Sequence, residues 1–214
     1  MPQRILLVHG LLNSDYWLTV LSRRLRAESF DTALFGYGSV FGGPEEAVAR
    51  LRTRLQSEHF DALVGHSLGG LVALEAVRLA PAPTVSRFVC LGTPLRGSET
   101  ARRIAARAWS RPLLGRSAGL LQAGHDAAGG AIQVGMVAGD VAWGLGRLFH
   151  RFDAISDGTV GLDETRVPWL TDHCVVHSSH SGLVFSAEAA SQVAHFIREG
   201  RFRPANPTKP APAG

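Results

Sequence analysis

The sequence predicts an α/β protein in which helices cover both faces of a doubly wound, mostly parallel sheet. Short, continuous apolar runs recur along the chain, and such runs are typical of strands that are buried on both faces. Each run is followed by a turn and then by a helical pattern, which favours parallel strands. The 214 residues suit one domain with a full core, which we place at 1–203. The segment 204–214 contains four prolines and little apolar material, and we expect it to be a disordered tail.

The first half of the chain contains two strand–helix pairs. The apolar run 5–8 ends at His9-Gly10, and a helix with apolar residues on one face follows at about 17–25. A short strand is predicted at 32–35. The next helix begins at Pro44, because proline suits the first helical position and the two glutamates that follow favour the first turn.

The second half continues the alternation with one interruption. Strands are predicted at 62–64, 88–91, 132–137 and 174–176, a mostly buried helix at 68–80, and a last amphipathic helix at 186–199. The interruption, at about 97–130, carries five arginines and two apolar patches, and we predict that it forms a cap of two short amphipathic helices. The stretch 143–152 is expected to be a loop or a short helix, and 156–160 a turn.

Composition narrows the function classes. The net charge of +4 and the pI of 9.8 do not come with a nucleic-acid motif, so we expect no nucleic-acid partner. No apolar run approaches the roughly 20 residues of a membrane span, and no signal peptide opens the chain, so a cytoplasmic protein is expected. Cys90 and Cys174 are interpreted as free buried thiols, with a disulfide as the alternative. Because no metal-ligand spacing or nucleotide-binding glycine motif occurs, we predict neither metal nor cofactor.

The strongest local signal is Gly65-His66-Ser67-Leu68-Gly69. It follows an apolar strand and opens a helical pattern, the context in which a G-x-S-x-G string forms a nucleophile elbow. An elbow holds its serine in a tight turn, and the two glycines stand where a Cβ atom would collide with a neighbouring strand or helix. We therefore predict Ser67 as the nucleophile. The alternative is a glycine-rich loop whose serine only caps the helix.

A serine hydroxyl needs a hydrogen-bonded base, which we expect in a loop after a late strand. His180 is favoured, because the small residues around it leave room for its ring to turn inward. His177 is the main alternative. His195 lies within the predicted last helix, and His173 precedes the predicted last strand, which puts it on the wrong side of the sheet.

The base in turn needs an acid that fixes its tautomer. Asp157 lies in the predicted turn ahead of the last strand, and the chain order serine, acid, histidine makes it the favoured candidate. Asp153 and Asp140 stay open as alternatives, and Asp163 is less favoured. The oxyanion donors are expected to be two backbone N–H groups, those of Leu68 and Leu11, which the sequence supports by position only.

With these residues placed, the chain resembles the α/β-hydrolase superfamily, and within it the small bacterial lipases and carboxylesterases. The resemblance rests on His9-Gly10, on the motifs at 65–70, 92–98 and 156–160, and on the late Ser-His-Ser, and it covers about residues 3 to 200. It implies Ser67, Asp157 and His180 as a triad. Larger relatives often have a calcium site near the histidine, but the aspartate that would be expected there is missing, so calcium is not carried over.

These residues lead to the hypothesis of a serine ester hydrolase that works through an acyl-enzyme on a small-molecule ester. The arginine-rich cap suggests acyl-lipid esters and transient contact with a membrane surface; a purely structural cap with solvated arginines is the alternative. An acyltransferase, amidase or thioesterase could use the same triad, because the fold does not determine the acyl acceptor. A non-catalytic binding scaffold is the hypothesis from another class, and it is disfavoured because all three triad residues are present.

Overall fold

A computed structural model describes residues 2–40, 42–80, 85–127, 132–144 and 154–204. Six strands form one sheet in the order β2-β1-β3-β4-β5-β6, and every neighbouring pair is parallel, which confirms the predicted fold class. The strands are β1 (Arg4–Val8), β2 (Asp31–Phe35), β3 (Ala62–His66), β4 (Arg87–Leu91), β5 (Gln133–Gly139) and β6 (Asp172–Val176). Residues 205–214 of the expected tail and residues 145–152 of the stretch 143–152 lie outside the described residues.

Helices lie on both faces of this sheet. They are α1 (Thr19–Ala27), α2 (Pro44–Ser57), α3 (Leu68–Arg78), α4 (Glu99–Ala105), α5 (Ala118–Ala123) and α6 (Ala187–Glu199). Alternate residues of one strand enter different cores, because side chains of a strand point to opposite faces. Leu6 and Val8 of β1 join the core that contains residues of α2 and α3, whereas Ile5 and Leu7 join the core that contains residues of α1 and α6.

The strand order places a switch point between β1 and β3. From β1 the chain first runs to β2 on one side and then crosses to β3 on the other, so the connections that leave β1 and β3 diverge. Ligands of open α/β sheets bind at such a crevice, beyond the carboxyl ends of the strands. His9-Gly10 follows β1 and Ser67 follows β3, so the two loops that carry the predicted chemistry meet there.

The segment predicted as a cap contains α4, a 3₁₀ helix (Arg111–Ser117) and α5. Its apolar residues Ile104, Leu114 and Leu121 pack into the core on the α2 and α3 face. The Ser98 hydroxyl caps α4 by accepting a hydrogen bond from the N–H of Ala101 at 3.1 Å. The exposed arginines of α4 pair with Glu99 within the same helix, so they are solvated on its outer side.

The strand boundaries differ from the sequence prediction by one or two residues, and one of these differences moves a candidate base. The last strand begins at Asp172, so His173 lies inside β6 rather than before it. Its ring Nε2 lies 2.9 Å from the hydroxyl of Thr165. Cys90 and Cys174 are both free thiols, and burial raises the pKa of the Cys90 thiol to about 12. Over the part of the chain that the structure describes, no helix is long and apolar enough to cross a membrane.

Candidate active site

Ser67 lies in a strained turn between β3 and α3. Ser67 is the N-cap residue of α3, and its φ of 54° and ψ of −124° are rare for a residue with a side chain. The flanking glycines are sterically required. A Cβ atom on Gly69 would lie 2.3 Å from the carbonyl oxygen of His9, and one on Gly65 would lie 2.5 Å from Cα of Gly70. The local sequence thus folds into the elbow geometry that its glycine spacing predicts.

The structure brings Ser67, His180 and Asp157 into one continuous hydrogen-bonded chain. The Nε2 atom of His180 lies 2.9 Å from Oγ of Ser67, and Nδ1 lies 2.7 Å from Oδ2 of Asp157. The backbone N–H of His180 also donates to the carbonyl oxygen of Asp157 at 2.9 Å. All three side chains are buried, so water competes little for these bonds.

Asp157 is held so that one oxygen faces the histidine. Its Oδ1 accepts two backbone hydrogen bonds, from the N–H of Thr159 at 2.9 Å and from the N–H of Val160 at 2.7 Å. Its other oxygen, Oδ2, accepts from Nδ1–H of His180. With Nδ1 protonated, the Nε2 lone pair of His180 faces the serine hydroxyl, which is the tautomer that a general base needs.

The alternative bases are engaged elsewhere. His177 is exposed, and its Nδ1 lies 3.0 Å from Asp140, which was itself an alternative acid. His195 interacts through Nδ1 with the carbonyl oxygen of Arg201 on the outer side of α6. Within the described ranges, His180 is the histidine that hydrogen-bonds to Ser67.

The two alternative acids that the structure describes, Asp140 and Asp163, do not hydrogen-bond to His180, whose Nδ1 faces Asp157. Asp163 lies in a 3₁₀ helix (Leu162–Thr165). Asp153 lies outside the described residues. Asp140 directly follows β5 and lies at the same edge of the sheet as Asp157, but it pairs with the exposed ring of His177.

The two expected oxyanion donors lie beside the serine. Leu68 is the first residue of α3, so its N–H belongs to the unpaired, positive end of that helix. Gly10 packs against the elbow, because a Cβ atom there would lie 3.0 Å from Cβ of Ser67. Leu11, the next residue in the chain, therefore lies close to Ser67, and it lines the same cavity. This arrangement can present two backbone N–H groups to one developing negative charge.

A histidine–tyrosine pair supports the loop after β1 (residues 9–13), and the sequence did not predict Tyr37 as the partner of His9. The ring of His9 stacks on Tyr37, with centroids 4.4 Å apart. Its Nδ1–H donates to the carbonyl oxygen of Gly10 at 2.9 Å, and its Nε2 accepts from the N–H of Tyr37 at 3.2 Å. The Tyr37 hydroxyl donates to the carbonyl oxygen of His9 at 2.9 Å. The signal that the sequence offered was Gly36-Tyr37-Gly38, a tyrosine between two glycines directly after β2.

Burial adjusts the protonation of this pair. Desolvation lowers the pKa of His9, although its backbone hydrogen bonds act in the opposite direction. Desolvation also raises the pKa of the Tyr37 hydroxyl. Both side chains therefore stay neutral near pH 7, as their hydrogen bonds require.

A cavity of about 820 Å³ opens in front of Ser67 and His180. Most of its lining is apolar and comes from the loop after β1 and the cap segment. The apolar residues from the cap segment are Ala101, Ile104, Trp109, Leu113, Leu114 and Leu121. Trp109 is 72% exposed and Leu113 is 41% exposed, so an apolar rim surrounds the entrance. Such an enclosure suits an apolar ligand with one polar group at the serine.

The described residues contain no cluster of three or more histidine, cysteine or acidic side chains that could hold a metal ion. The groups that the structure brings together at this site can supply a candidate nucleophile, a base with a fixed tautomer, an acid and backbone donors.

Comparison with known proteins identifies the fold. No family model matches the chain, and no curated protein sequence matches it. Among solved structures, the mature lipase BlEst2 of Bacillus licheniformis is similar, with a TM-score of 0.73 and 20% identity over 92% of this chain and 91% of that one. The esterase EaEST of Exiguobacterium antarcticum has a TM-score of 0.64 and 12% identity over 92% of each chain.

A larger protein contains the same architecture. The phospholipase PlaB of Legionella pneumophila matches with a TM-score of 0.67 and 15% identity over 92% of this chain but only 58% of its own. At these identities the similarity establishes the architecture. The chain has the α/β-hydrolase fold, as its motifs implied.

Proposed function

We propose that this protein is a serine hydrolase of carboxylic esters with Ser67, His180 and Asp157 as its catalytic triad. The observation that carries the proposal is the unbroken chain of hydrogen bonds from Oγ of Ser67 through His180 to Asp157, at the mouth of an apolar cavity. The α/β-hydrolase fold, which this chain shares with lipases and esterases, is consistent with it.

In the first half of the reaction, Oγ of Ser67 attacks the ester carbonyl carbon while its proton moves to Nε2 of His180. The tetrahedral intermediate places its oxyanion at the N–H groups of Leu11 and Leu68. When it collapses, the alcohol leaves with the proton from His180, and the acyl group remains on Ser67. Asp157 holds the imidazole in place and stabilises its positive charge throughout.

Water completes the cycle. His180 removes a proton from water, and the resulting hydroxide attacks the acyl carbon. The second tetrahedral intermediate then releases the carboxylic acid as His180 returns its proton to Oγ of Ser67. The positive end of α3 at the elbow favours the negative charge in both halves.

The decisive experiment combines hydrolysis of a p-nitrophenyl ester with covalent labelling by a fluorophosphonate. Wild-type protein is expected to turn over the ester and to be labelled, whereas Ser67→Ala does neither while its circular dichroism and melting temperature stay the same. Ester hydrolysis at the wild-type rate in Ser67→Ala would contradict the proposal. Product analysis with added alcohols then distinguishes hydrolysis from acyl transfer.

The cavity supports acyl-lipid esters as the substrate class. Its lining is mostly apolar, and the exposed Trp109 and Leu113 at its rim suit transient contact with a lipid surface. We expect kcat/KM to rise with acyl length between p-nitrophenyl acetate and the octanoate. A steep preference for acetate would exclude a lipid-binding cap.

A matched pair of tryptophans tests the role of the rim. Trp109 and Trp143 are both 72% exposed, but only Trp109 lines the cavity. Trp109→Ala is expected to lower kcat/KM for the octanoate about 10-fold, in line with the loss of one large apolar contact, and to weaken binding to phospholipid vesicles. Trp143→Ala should change neither. Equal effects of the two substitutions would show that the rim has no special role.

A further inference from the structure

His66 is a buried titratable group that the proposed reaction does not use. It lies immediately before Ser67 at the end of β3, and only 2% of its surface is exposed. The proposed proton path runs through Ser67, His180 and Asp157 and does not include it. Its ring nevertheless lies close to the base, with ring centroids 4.9 Å apart and planes at 42°.

The contact between the two histidines has a defined direction. Nε2 of His66 lies 3.0 Å from the backbone carbonyl oxygen of His180. Because a carbonyl oxygen only accepts, Nε2 must carry the hydrogen, and Nδ1 is left with a lone pair. That Nδ1 is buried without a hydrogen-bond partner among the described residues. Leaving this buried acceptor without a partner costs free energy, which indicates that the hydrogen bond donated by Nε2 determines the tautomer of the ring.

The backbone of His180 is therefore held from two sides. Its N–H donates to the carbonyl oxygen of Asp157 at 2.9 Å, and its C=O accepts from His66. Since His66 and Ser67 are adjacent in the chain, the second bond ties the loop of the base directly to the nucleophile elbow. The ring of His66 also packs against the loop after β1, since a Cβ atom on Gly10 of that loop would lie 3.2 Å from Nδ1 of His66.

We propose that His66 is a positioning residue whose Nε2–H fixes the backbone of His180, so that the imidazole of the base stays in line with Oγ of Ser67. This inference rests on the proposed function, because the alignment matters for proton transfer between Ser67 and His180. The loop of the base follows β6 and reaches the elbow across the sheet, so the hydrogen bond from His66 links two segments that are 114 residues apart in sequence.

The protonation state of His66 agrees with this role. Burial, reinforced by the positive charge that His180 can carry, lowers the pKa of His66 to about 3. A neutral ring next to His180 adds no repulsion when the base becomes an imidazolium. The backbone of Gly10 lies on its other side, and the charge that His9 can carry also lowers the pKa of His66, whereas the charge of Asp157 acts in the opposite direction.

The first test compares a variant that removes the donor with one that keeps it. His66→Leu is expected to lower kcat on a p-nitrophenyl ester by about 10- to 100-fold with little change in KM, because a small displacement of the base affects the chemical step. His66→Gln presents an amide N–H at a similar distance from the backbone and should recover kcat to within about fivefold of wild type. His177→Leu, at an exposed histidine near the same sheet edge, is the control and should leave kcat unchanged.

The second test needs no substitution. Nitrogen-15 NMR of the imidazole groups should show His66 in the Nε2–H tautomer and without titration down to about pH 5. A His66 that titrates near its ordinary pKa, or that carries its proton on Nδ1, would overturn the inference. So would a His66→Leu variant with the kcat of wild type, or a His66→Gln variant as slow as His66→Leu.

Failure of this inference can be told apart from failure of the proposed function. If the wild-type protein neither hydrolyses esters nor reacts with a fluorophosphonate, the proposed function fails. If wild type reacts and His66→Leu reacts at the same rate, only the positioning role fails.

Discussion

The substitution Asp157→Asn tests the tautomer argument with little change in shape. In the folded protein, Oδ1 of Asp157 accepts from two backbone N–H groups, those of Thr159 and Val160. An asparagine must keep its amide oxygen at this position, since its NH₂ group there would face two donors. The NH₂ group is then forced into the position of Oδ2, 2.7 Å from Nδ1 of His180.

This arrangement sets two donors against each other unless His180 changes tautomer. When Nδ1 becomes the acceptor, Nε2 carries the hydrogen and points it at Ser67, so the ring can no longer take the serine proton. The corresponding loss in serine proteases is about 10⁴ in kcat, and we expect the same order here. A factor of 10⁴ corresponds to about 5.4 kcal/mol of transition-state free energy, at 1.36 kcal/mol for each factor of ten.

The assay is steady-state hydrolysis of a p-nitrophenyl ester, with KM and the melting temperature measured on the same preparations. Asp140→Asn is the matched control, because Asp140 also pairs with a histidine at the same sheet edge but is exposed and does not contact His180. We expect this control to keep kcat within about twofold, because an exposed pair that does not contact the proposed triad contributes little. An Asp157→Asn variant that loses less than tenfold would refute the reasoning, and so would a large loss in Asp140→Asn.

Three further predictions concern stability, each read from denaturant unfolding. Burial lowers the pKa of His66 from 6.5 to about 3, so the unfolded chain binds a proton that the folded chain excludes, and the free energy of unfolding falls as the pH drops below 6.5. For this residue the loss between pH 7 and pH 5 is about 2 kcal/mol, and His66→Gln should remove it; an unchanged pH dependence would contradict the prediction. Gly69→Ala should lower the free energy of unfolding by at least about 3 kcal/mol, because its Cβ atom would lie 2.3 Å from the backbone oxygen of His9. Gly119→Ala is the control and should be neutral or stabilising, because a Cβ atom there meets nothing within 4 Å. Equal effects of the two substitutions would contradict the steric argument. Tyr37→Phe should cost about 1 kcal/mol, because it leaves the buried carbonyl oxygen of His9 without this donor, and a variant as stable as wild type would show that the bond contributes nothing.

Local features of this protein could be predicted from the sequence. The parallel α/β class follows from apolar runs and helical patterns, and both depend on neighbouring residues only. The elbow follows from Gly65, Ser67 and Gly69, since the steric limits that require glycine act within one tight turn and its flanking strand and helix. The start of α2 at Pro44 and the start of α3 directly after Ser67 were predicted for the same reason.

Only the tertiary structure shows which of the candidate aspartates and histidines lie together next to Ser67. The sequence offered several acids and several histidines near the ends of β5 and β6, and spacing along the chain does not measure distance in space. In the folded protein Asp157 turns inward to His180, whereas Asp140 and His177 pair with each other in solvent. The two pairs differ in burial, which depends on how the loops after β5 and β6 pack over the sheet, since both pairs consist of an aspartate and a histidine.

The supporting contacts around the site also arise only on folding. His66 and the carbonyl of His180 are 114 residues apart in sequence, and His9 and Tyr37 belong to loops after different strands. The sheet order β2-β1-β3 brings the loops after β1, β2 and β3 together, and the cap segment then closes the apolar cavity above them. Local sequence thus determined where Ser67 stands, and the packing of distant segments decided which histidine, which aspartate and which cavity surround it.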